Sequence, residues 1–235
     1  MRALLTLAIE RHAAATALAD DPDSVRREWA ERAGAYSPEY YAHLGPNWTS
    51  EALRETLVER VGRDASVLEL GCSSGRHLAH LAEAGFSDLH GAEVNEEAFA
   101  VLAEEFPSLH ETGQFYHDTI EAALPTFADD AFDAVFSVET LQHLHPDADA
   151  ALDHVVRVTG DLLVTVENEG PAGGENGTGA EGGAGREGVN YVDGEFPLYY
   201  RDWGAVFADR GMVEVESEAQ KRATRREFVH SSSRL

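Results

Sequence analysis

From residue 66 onward, short apolar runs alternate with stretches of helical periodicity, and this alternation constrains the fold more than any other feature of the chain. A strand, a helix and a second strand in this rhythm form βαβ units, whose strands lie parallel in one sheet with helices on its faces. The pattern predicts strands at residues 67–70, 89–94, 114–117, 132–138 and 162–166. It predicts helices at residues 75–84, 96–106, 147–158 and 201–210.

The first quarter of the chain has helical patterns only. Residues 1–62 predict an N-terminal helical extension that precedes the main domain. Ser24 is placed to cap a helix over residues 25–33, and the pair Thr49-Ser50 is placed to cap a helix over residues 51–61, since hydroxyl side chains accept bonds from the first free N–H groups of a helix.

The main domain is predicted to span residues 63–235. Two final strands, at residues 212–219 and 223–230, are joined by a short turn and predict an antiparallel C-terminal hairpin. Glycine-rich residues 169–188 predict a flexible surface insertion, with a lid over bound substrate as the alternative. The sequence therefore predicts a doubly wound α/β fold with a mostly parallel, seven-stranded sheet.

Acidic residues outnumber basic ones by 43 to 18, which gives a formal net charge of −25. Lys221 is the only lysine, a composition similar to that of proteins from halophilic organisms with high internal salt. At about 1 M salt the screening length is roughly 3 Å, so this charge indicates solubility in brine more than a choice of partner. We expect no nucleic-acid or membrane partner, and the single cysteine, Cys72, with no export signal predicts a cytoplasmic protein.

The segment from Val67 to Arg76 reads as an apolar strand, a glycine-bearing turn and the start of a helix. Gly71 and Gly75 allow the backbone to approach a ligand closely at the carboxyl end of the strand. A dinucleotide-binding turn has the pattern G-x-G-x-x-G, but Ser73 and Arg76 stand where its second and third glycines belong. A nicotinamide-dependent oxidoreductase is therefore disfavoured.

The spacing Glu69-x-Gly71-x-Ser73-x-Gly75 resembles motif I of the class I methyltransferases that use S-adenosylmethionine (SAM), usually written (D/E)-x-G-x-G-x-G. Ser73 replaces the middle glycine and keeps a small residue there. The resemblance covers roughly residues 60–230 and implies a Rossmann-like fold with SAM as cofactor. It also implies that these four residues line the SAM site.

The same resemblance assigns ligand contacts to two later strand ends. Glu93 ends the second predicted strand, where an acidic side chain in this family accepts hydrogen bonds from both ribose hydroxyls. Asp118 follows the third strand and resembles the residue that accepts the adenine amino group, with Thr119 and Ile120 beside the ring.

The loop after the fourth strand, residues 141–144, resembles the one that faces the transferred methyl group in this family. His143 lies in it and is the predicted general base for an acceptor that must lose a proton, because an imidazole titrates near neutral pH. The alternative is a histidine that only packs the loop. No metal site is predicted, because the pairs His77 and His80 or His143 and His145 find no third ligand at a recognisable spacing.

The implied reaction is methyl transfer to a small-molecule oxygen, nitrogen or carbon atom. After the fourth strand the chain has Glu139-Thr140-Leu141-Gln142 in place of an Asn/Asp-Pro-Pro-aromatic loop, which disfavours DNA bases and amide nitrogens as acceptors. A protein of this fold that binds SAM without catalysis remains the second hypothesis. Aromatic residues of the N-terminal extension are expected either to wall the acceptor pocket or to form core: Tyr36, Tyr40, Tyr41 and Trp48.

Overall fold

The computed structural model describes residues 21–170, 189–192, 196–220 and 223–231. The predicted insertion at residues 169–188 lies outside this part of the chain from residue 171 onward, as does the extension before residue 21. The described residues contain nine strands: β1 (Ser66–Leu70), β2 (Asp88–Glu93), β3 (Gln114–His117), β4 (Phe132–Val138), β5 (Thr159–Glu167), β6 (Val189–Val192), β7 (Phe196–Tyr199), β8 (Met212–Ala219) and β9 (Thr224–His230).

Seven of these strands form one sheet in the order β3-β2-β1-β4-β5-β9-β8. The first five strands are parallel, β9 runs antiparallel to β5, and β8 runs antiparallel to β9. The predicted fold class is therefore confirmed, including the C-terminal hairpin. A separate antiparallel pair, β6 and β7, was not predicted.

The helices that flank the sheet are short, and none in the described part of the chain is long and apolar enough to cross a membrane. Their bounds are α1 (Pro22–Ala30), α2 (Pro38–Leu44), α3 (Trp48–Arg60), α4 (Arg76–Glu83), α5 (Glu97–Glu105), α6 (Pro107–Thr112), α7 (Ile120–Ala123), α8 (Ala150–Val158) and α9 (Trp203–Ala208). Single 3₁₀ turns follow at Leu124–Thr126, Leu141–His143 and Pro146–Ala148.

Each face of the sheet buries its own apolar cluster, because successive side chains of a strand point to opposite faces. Val67 packs with the helices α3 to α6, whereas Leu68 packs with α8 and α9. The second cluster includes Trp203 and Phe207, which are fully buried. Helices on both faces explain why the parallel strands read as continuous apolar runs.

The order of the strands also fixes where a ligand can bind. β2 and β3 lie on one side of β1, while β4 and β5 lie on the other. The winding therefore reverses between β1 and β4, and in sheets of this kind the crevice outside the carboxyl ends of such neighbouring strands is the usual binding site. Those carboxyl ends carry the residues that the sequence singles out.

Two predicted helix caps were wrong by a few residues. Asp21 caps α1, and Ser24 lies inside the helix, where its Oγ donates to Asp21 Oδ2. Asn47 caps α3 through bonds from the N–H groups of Thr49 and Ser50. Ser50 completes a capping box by accepting from the N–H of Asn47, because the reciprocal bond satisfies a second free donor.

Candidate active site

One pocket lies at the carboxyl ends of β1, β2 and β4, with about 1230 Å³ of space between atoms when its open mouth is included. Helix α1 and the start of α2 cover it. Seven of the eight predicted site residues line this pocket: Glu69, Gly71, Ser73, Glu93, Asp118, Thr119 and His143. The structure therefore brings together residues that are up to 74 positions apart in the sequence.

The turn after β1 is held in a conformation that few residues adopt. Gly71, Ser73 and Gly75 all have positive φ, at 69°, 48° and 79°. The N–H groups of Gly71 and Cys72 both donate to the carbonyl of Ala92 at the end of β2, at 2.9 and 3.1 Å. The turn is thus fixed against the neighbouring strand before any ligand arrives.

Gly71 is required by space as well as by conformation. A Cβ atom at this position would meet Thr140, with Cγ2 only 2.5 Å away. We expect Gly71→Ala to lower the free energy of unfolding by about 2–4 kcal/mol, since left-handed backbone strain adds to overpacking. Urea denaturation measures this change.

Gly62 provides a matched control for that substitution. Its φ of +82° is equally unfavourable for alanine, but nothing lies within 4 Å of a Cβ built there. Gly62→Ala should therefore lose only about 1–2 kcal/mol. The added substitution Thr140→Ala should recover the overpacking part in Gly71→Ala, and equal losses at the two glycines would contradict the crowding argument.

Gly75 is the predicted site residue that does not line the pocket. It is the N-cap of α4, and a Cβ there would meet Leu102 Cδ1 at 2.7 Å. This glycine allows α4 to pack closely against α5. The prediction of direct ligand contact at Gly75 finds no support in its position.

Two carboxyl groups, Glu69 buried and Glu93 partly buried, face the pocket from neighbouring strands. Glu93 accepts from the N–H groups of Ser73, Val94 and Asn95 at 2.9, 2.7 and 2.9 Å. Glu69 is buried beside it, and its Oε2 has no hydrogen-bond partner among the described residues. Burial raises the pKa of both carboxyl groups, and for Glu69 the nearby charge of Glu93 adds to the rise while Arg76 opposes it.

Asp118 and Thr119 lie at the far end of the pocket, after β3. Asp118 is exposed, and its Oδ1 accepts from the N–H of Thr119 at 2.8 Å. Thr119 caps α7 by accepting from the N–H of Ala122. Both side chains therefore have structural partners, and Asp118 keeps free acceptor capacity toward the pocket.

His143 is held by contacts at both ring nitrogens. Nδ1 lies 2.9 Å from the carbonyl of Pro197, and Nε2 lies 3.2 Å from Nε2 of Gln142. A carbonyl only accepts, so Nδ1 carries the proton and Nε2 is the acceptor. Burial lowers the pKa of His143 to about 4, so the ring is neutral at pH 7.

The cover of the pocket comes from residues that the sequence did not single out. Trp29 packs its ring against His143, with 4.7 Å between ring centroids. Asn95, directly after β2, donates to the carbonyl groups of Trp29 and Arg32 at 3.4 and 3.1 Å. The acidic strand end at Glu93 and the C-terminal end of α1 are thereby joined.

Of the four aromatic residues named from the sequence, Tyr36 and Tyr41 line the pocket. Tyr40 and Trp48 do not, and their exposed fractions are 41% and 54%. The helical repeat explains the difference, because Tyr40 and Tyr41 point in different directions from α2.

The histidine pair His77 and His80, for which no metal site was predicted, forms hydrogen bonds with side chains of α3. His77 Nδ1 lies 2.9 Å from Ser50 Oγ, and His80 Nε2 lies 2.8 Å from Glu51 Oε2. Within the described ranges no group of three or more His, Cys, Asp or Glu side chains is placed to hold a metal ion.

Residues 67–161 match a protein family described as a methyltransferase domain. This segment contains the glycine turn, Glu93, Asp118 and His143, so it includes the pocket residues at the strand ends. Over residues 67–161 the chain is similar to methyltransferase domains.

Curated relatives align with part of this chain and over part of their own length. Methyltransferase GfsG from Streptomyces halstedii is 30% identical over 110 residues, which cover 46% of this chain and 39% of that protein. The chain thus spans well under two thirds of this relative.

Solved structures share the fold of this protein over most of the chain. The 1,6-didemethyltoxoflavin-N1-methyltransferase of Burkholderia thailandensis, solved with 1,6-didemethyltoxoflavin and S-adenosylhomocysteine, has a TM-score of 0.60 at 18% identity, covering 86% of this chain and 93% of that one. The 4+2 cyclase SpnF has a TM-score of 0.55 at 18% identity, covering 81% and 64%. The fold alone therefore does not decide the reaction.

Proposed function

We propose that this protein transfers the methyl group of SAM to a small-molecule acceptor. The observation that carries the proposal is the convergence of the motif I turn, Glu69, Glu93 and His143 on one pocket at the switch point of the sheet. The family match over residues 67–161 supports it.

The pocket residues fit the chemical parts of SAM. The unpartnered Oε2 of Glu69 suits a cationic group, and SAM carries an ammonium and a sulfonium. Glu93 would hold the ribose hydroxyls, Asp118 the adenine amino group, and the turn at Gly71 and Ser73 would leave room for close approach. When bound, SAM supplies a methyl group on a positively charged sulfur that is already a good leaving group.

The acceptor side of the pocket favours a flat molecule with an acidic group. Trp29, Tyr36 and Tyr41 provide aromatic walls. Arg32 lies over the ring of Phe196 at 4.1 Å and Arg76 over that of Tyr41 at 5.0 Å.

Neither of these two guanidinium groups forms an ion pair with a residue that the structure describes, although the chain is rich in acids. One of them would suit the carboxylate of SAM, and the other favours an acceptor with a negative group.

The protein's part in the chemistry is placement and removal of a proton. An in-line transfer requires the acceptor atom within about 3–3.5 Å of the methyl carbon. His143 would act as the base through Nε2 once the amide of Gln142 yields that contact to the acceptor. A base with a pKa of about 4 is weak, which again favours an acceptor whose own proton is acidic.

Calorimetry in high salt tests the cofactor assignment. We expect SAM and S-adenosylhomocysteine to bind in the micromolar range and NAD to bind much more weakly, because Ser73 and Arg76 break the dinucleotide pattern. Tight binding of NAD without binding of SAM would overturn the assignment.

Turnover of labelled SAM with a panel of phenols, hydroxy-aromatic acids and small amines then separates an enzyme from a protein that only binds. Binding without turnover of any acceptor would favour the second hypothesis.

We also propose a cytoplasm of high salt as the setting. The support is the sequence itself, with one lysine, one cysteine and 43 acidic residues. Nucleic acid is not proposed as a partner, since the acceptor pocket is lined by aromatic side chains and is closed on one side by α1.

A further inference from the structure

The loop between β4 and α8, which carries His143, is fastened by one carboxylate. Glu167, at the end of β5, is fully buried. Its Oε1 accepts from Ser137 Oγ at 2.7 Å and from the N–H groups of Thr140 and Leu141 at 3.3 and 3.1 Å. Its Oε2 accepts from the N–H of Gln142 at 3.1 Å. Three consecutive backbone donors thus converge on a single side chain.

A guanidinium holds the same loop from its carbonyl side. Arg201 donates to the carbonyl of Leu144 at 2.7 Å and to that of Leu141 at 3.4 Å. It is partly buried against the rings of Tyr199 and Trp203, at 5.9 and 5.4 Å. The loop therefore lies between a negative and a positive side chain, each matched to the backbone groups that face it.

The end of β5 also sets the contact at the reactive nitrogen of His143. The N–H of Asn168 donates to Gln142 Oε1 at 2.8 Å, which directs the Gln142 NH₂ group toward Nε2 of His143. Glu167 and Asn168 together fix the backbone and the side chain of Gln142. The position of His143 depends on both.

We propose that Glu167 is a positioning residue for methyl transfer: its ionised carboxylate, with Arg201 opposite, fixes the loop that carries His143, and gain of a proton loosens that loop. The catalytic consequence rests on the proposed function. The effect on the loop does not.

The surroundings of Glu167 give the direction of its pH dependence. Burial raises the pKa of Glu167 to about 7, against the opposing effect of its four hydrogen bonds. Arg201 is the charged group that faces it, the register partner on β9 is Thr224, and His143 is neutral in this range. A protonated Glu167 carries no negative charge, and the oxygen that holds the proton is a poorer acceptor, so its bonds to the N–H groups of the loop weaken below pH 7.

The expected profile resembles that of a titrating histidine although His143 does not titrate there. As pH falls from 8 to 6, kcat of the protein should fall about tenfold, because the ionised fraction of a single group of pKa 7 falls by about this factor. Glu167→Gln should be at least tenfold slower at pH 8 and should show no such fall in kcat, because its amide has no charge and one acceptor oxygen fewer at every pH. Glu104→Gln, an exposed glutamate on α5, is the matched control and should keep the profile.

A His143→Asn protein with measurable residual turnover should still show the fall in kcat between pH 8 and pH 6. If the fall in kcat were absent in His143→Asn or persisted in Glu167→Gln, the pH dependence could not be assigned to Glu167.

NMR tests the loop without any turnover. In the wild-type protein the amide signals of Thr140, Leu141 and Gln142 should shift together with a midpoint near pH 7. The same signals should shift in the same way in Glu104→Gln. Signals that stay fixed between pH 6 and 8 would refute the proposal even in an active enzyme. If the signals titrate but the protein methylates no acceptor, the role of Glu167 in holding the loop stands and only the proposed reaction is refuted. If Glu167→Gln does not fold, the NMR titration of the wild-type protein alone tests the proposal.

Discussion

His143→Ala is expected to lower kcat by roughly 10²–10⁴-fold while SAM affinity changes little, if His143 is the general base. The ring is neutral at pH 7, its Nδ1 proton is committed to Pro197, and only Nε2 can accept a proton. The ring lies in the pocket against Trp29, on the loop after β4, whereas the residues assigned to the adenosine follow β2 and β3. The variant should therefore slow the chemical step without weakening the binding of SAM.

Two further variants distinguish a base from a packing residue. His143→Asn keeps a side-chain N–H that can serve the Pro197 carbonyl but has no basic nitrogen, so it should be as slow as alanine and more stable. His110→Ala, at an exposed position on α6, should leave kcat and stability unchanged. Single-turnover rates and thermal unfolding measure both properties. A near-normal rate in a folded His143→Ala protein would exclude the base role, and placement alone would then explain catalysis.

The central strands of the sheet, β1, β4 and β5, were predictable from the sequence because most of their residues are buried. β3, β4 and β8 have the predicted bounds, and β1 and β2 differ from the prediction by one residue at one or both ends. β5 extends beyond the predicted 162–166 to Thr159–Glu167, since its first residues continue directly from α8. Strand ends are set by pairing partners, which a local apolar pattern does not contain.

The two cap errors have a different origin. Several residues near each helix start are of types that cap helices. At α1, the position of a proline determines which of them is the cap. Pro22 occupies the first turn of α1, where its missing N–H does no harm, and this makes Asp21 the cap. At α3 the capping box uses Asn47 and Ser50, so one predicted residue serves as partner and not as cap.

The pocket residues at the strand ends were predictable, whereas the residues that hold the loop after β4 and those of α1 that cover the pocket were not. Glu69, Glu93 and Asp118 follow from strand ends and family spacing, because the fold places those ends together. Glu167 has no local signal, since its hydrogen-bond partners lie 25 to 30 residues away along the chain. Trp29 and Arg32 reach the pocket through Asn95, more than 60 residues later, so only the folded chain reveals them.

Glu93→Gln is expected to weaken SAM binding by about 100- to 1000-fold. A carboxylate offers about four lone-pair directions, and three of these already accept backbone N–H groups. The remaining acceptor capacity is available to the ribose. The three backbone neighbours only donate, so in either orientation the NH₂ group of glutamine would oppose at least one of them.

The magnitude follows from the bonds at stake. A hydrogen bond to a charged group contributes about 1.5–3 kcal/mol, and an unpaired N–H of Ser73 would add a similar loss while it shifts the motif I turn. About 3–4 kcal/mol corresponds to the stated range in the dissociation constant.

Glu96→Gln is the matched control, because Glu96 is exposed and lies three residues further on. Calorimetry with SAM should show full affinity for Glu96→Gln and loss for Glu93→Gln, in proteins whose urea midpoints are compared first. Equal affinities would place the ribose elsewhere in the pocket. An equal loss in both would mean that net charge, and not the position of one carboxylate, governs binding.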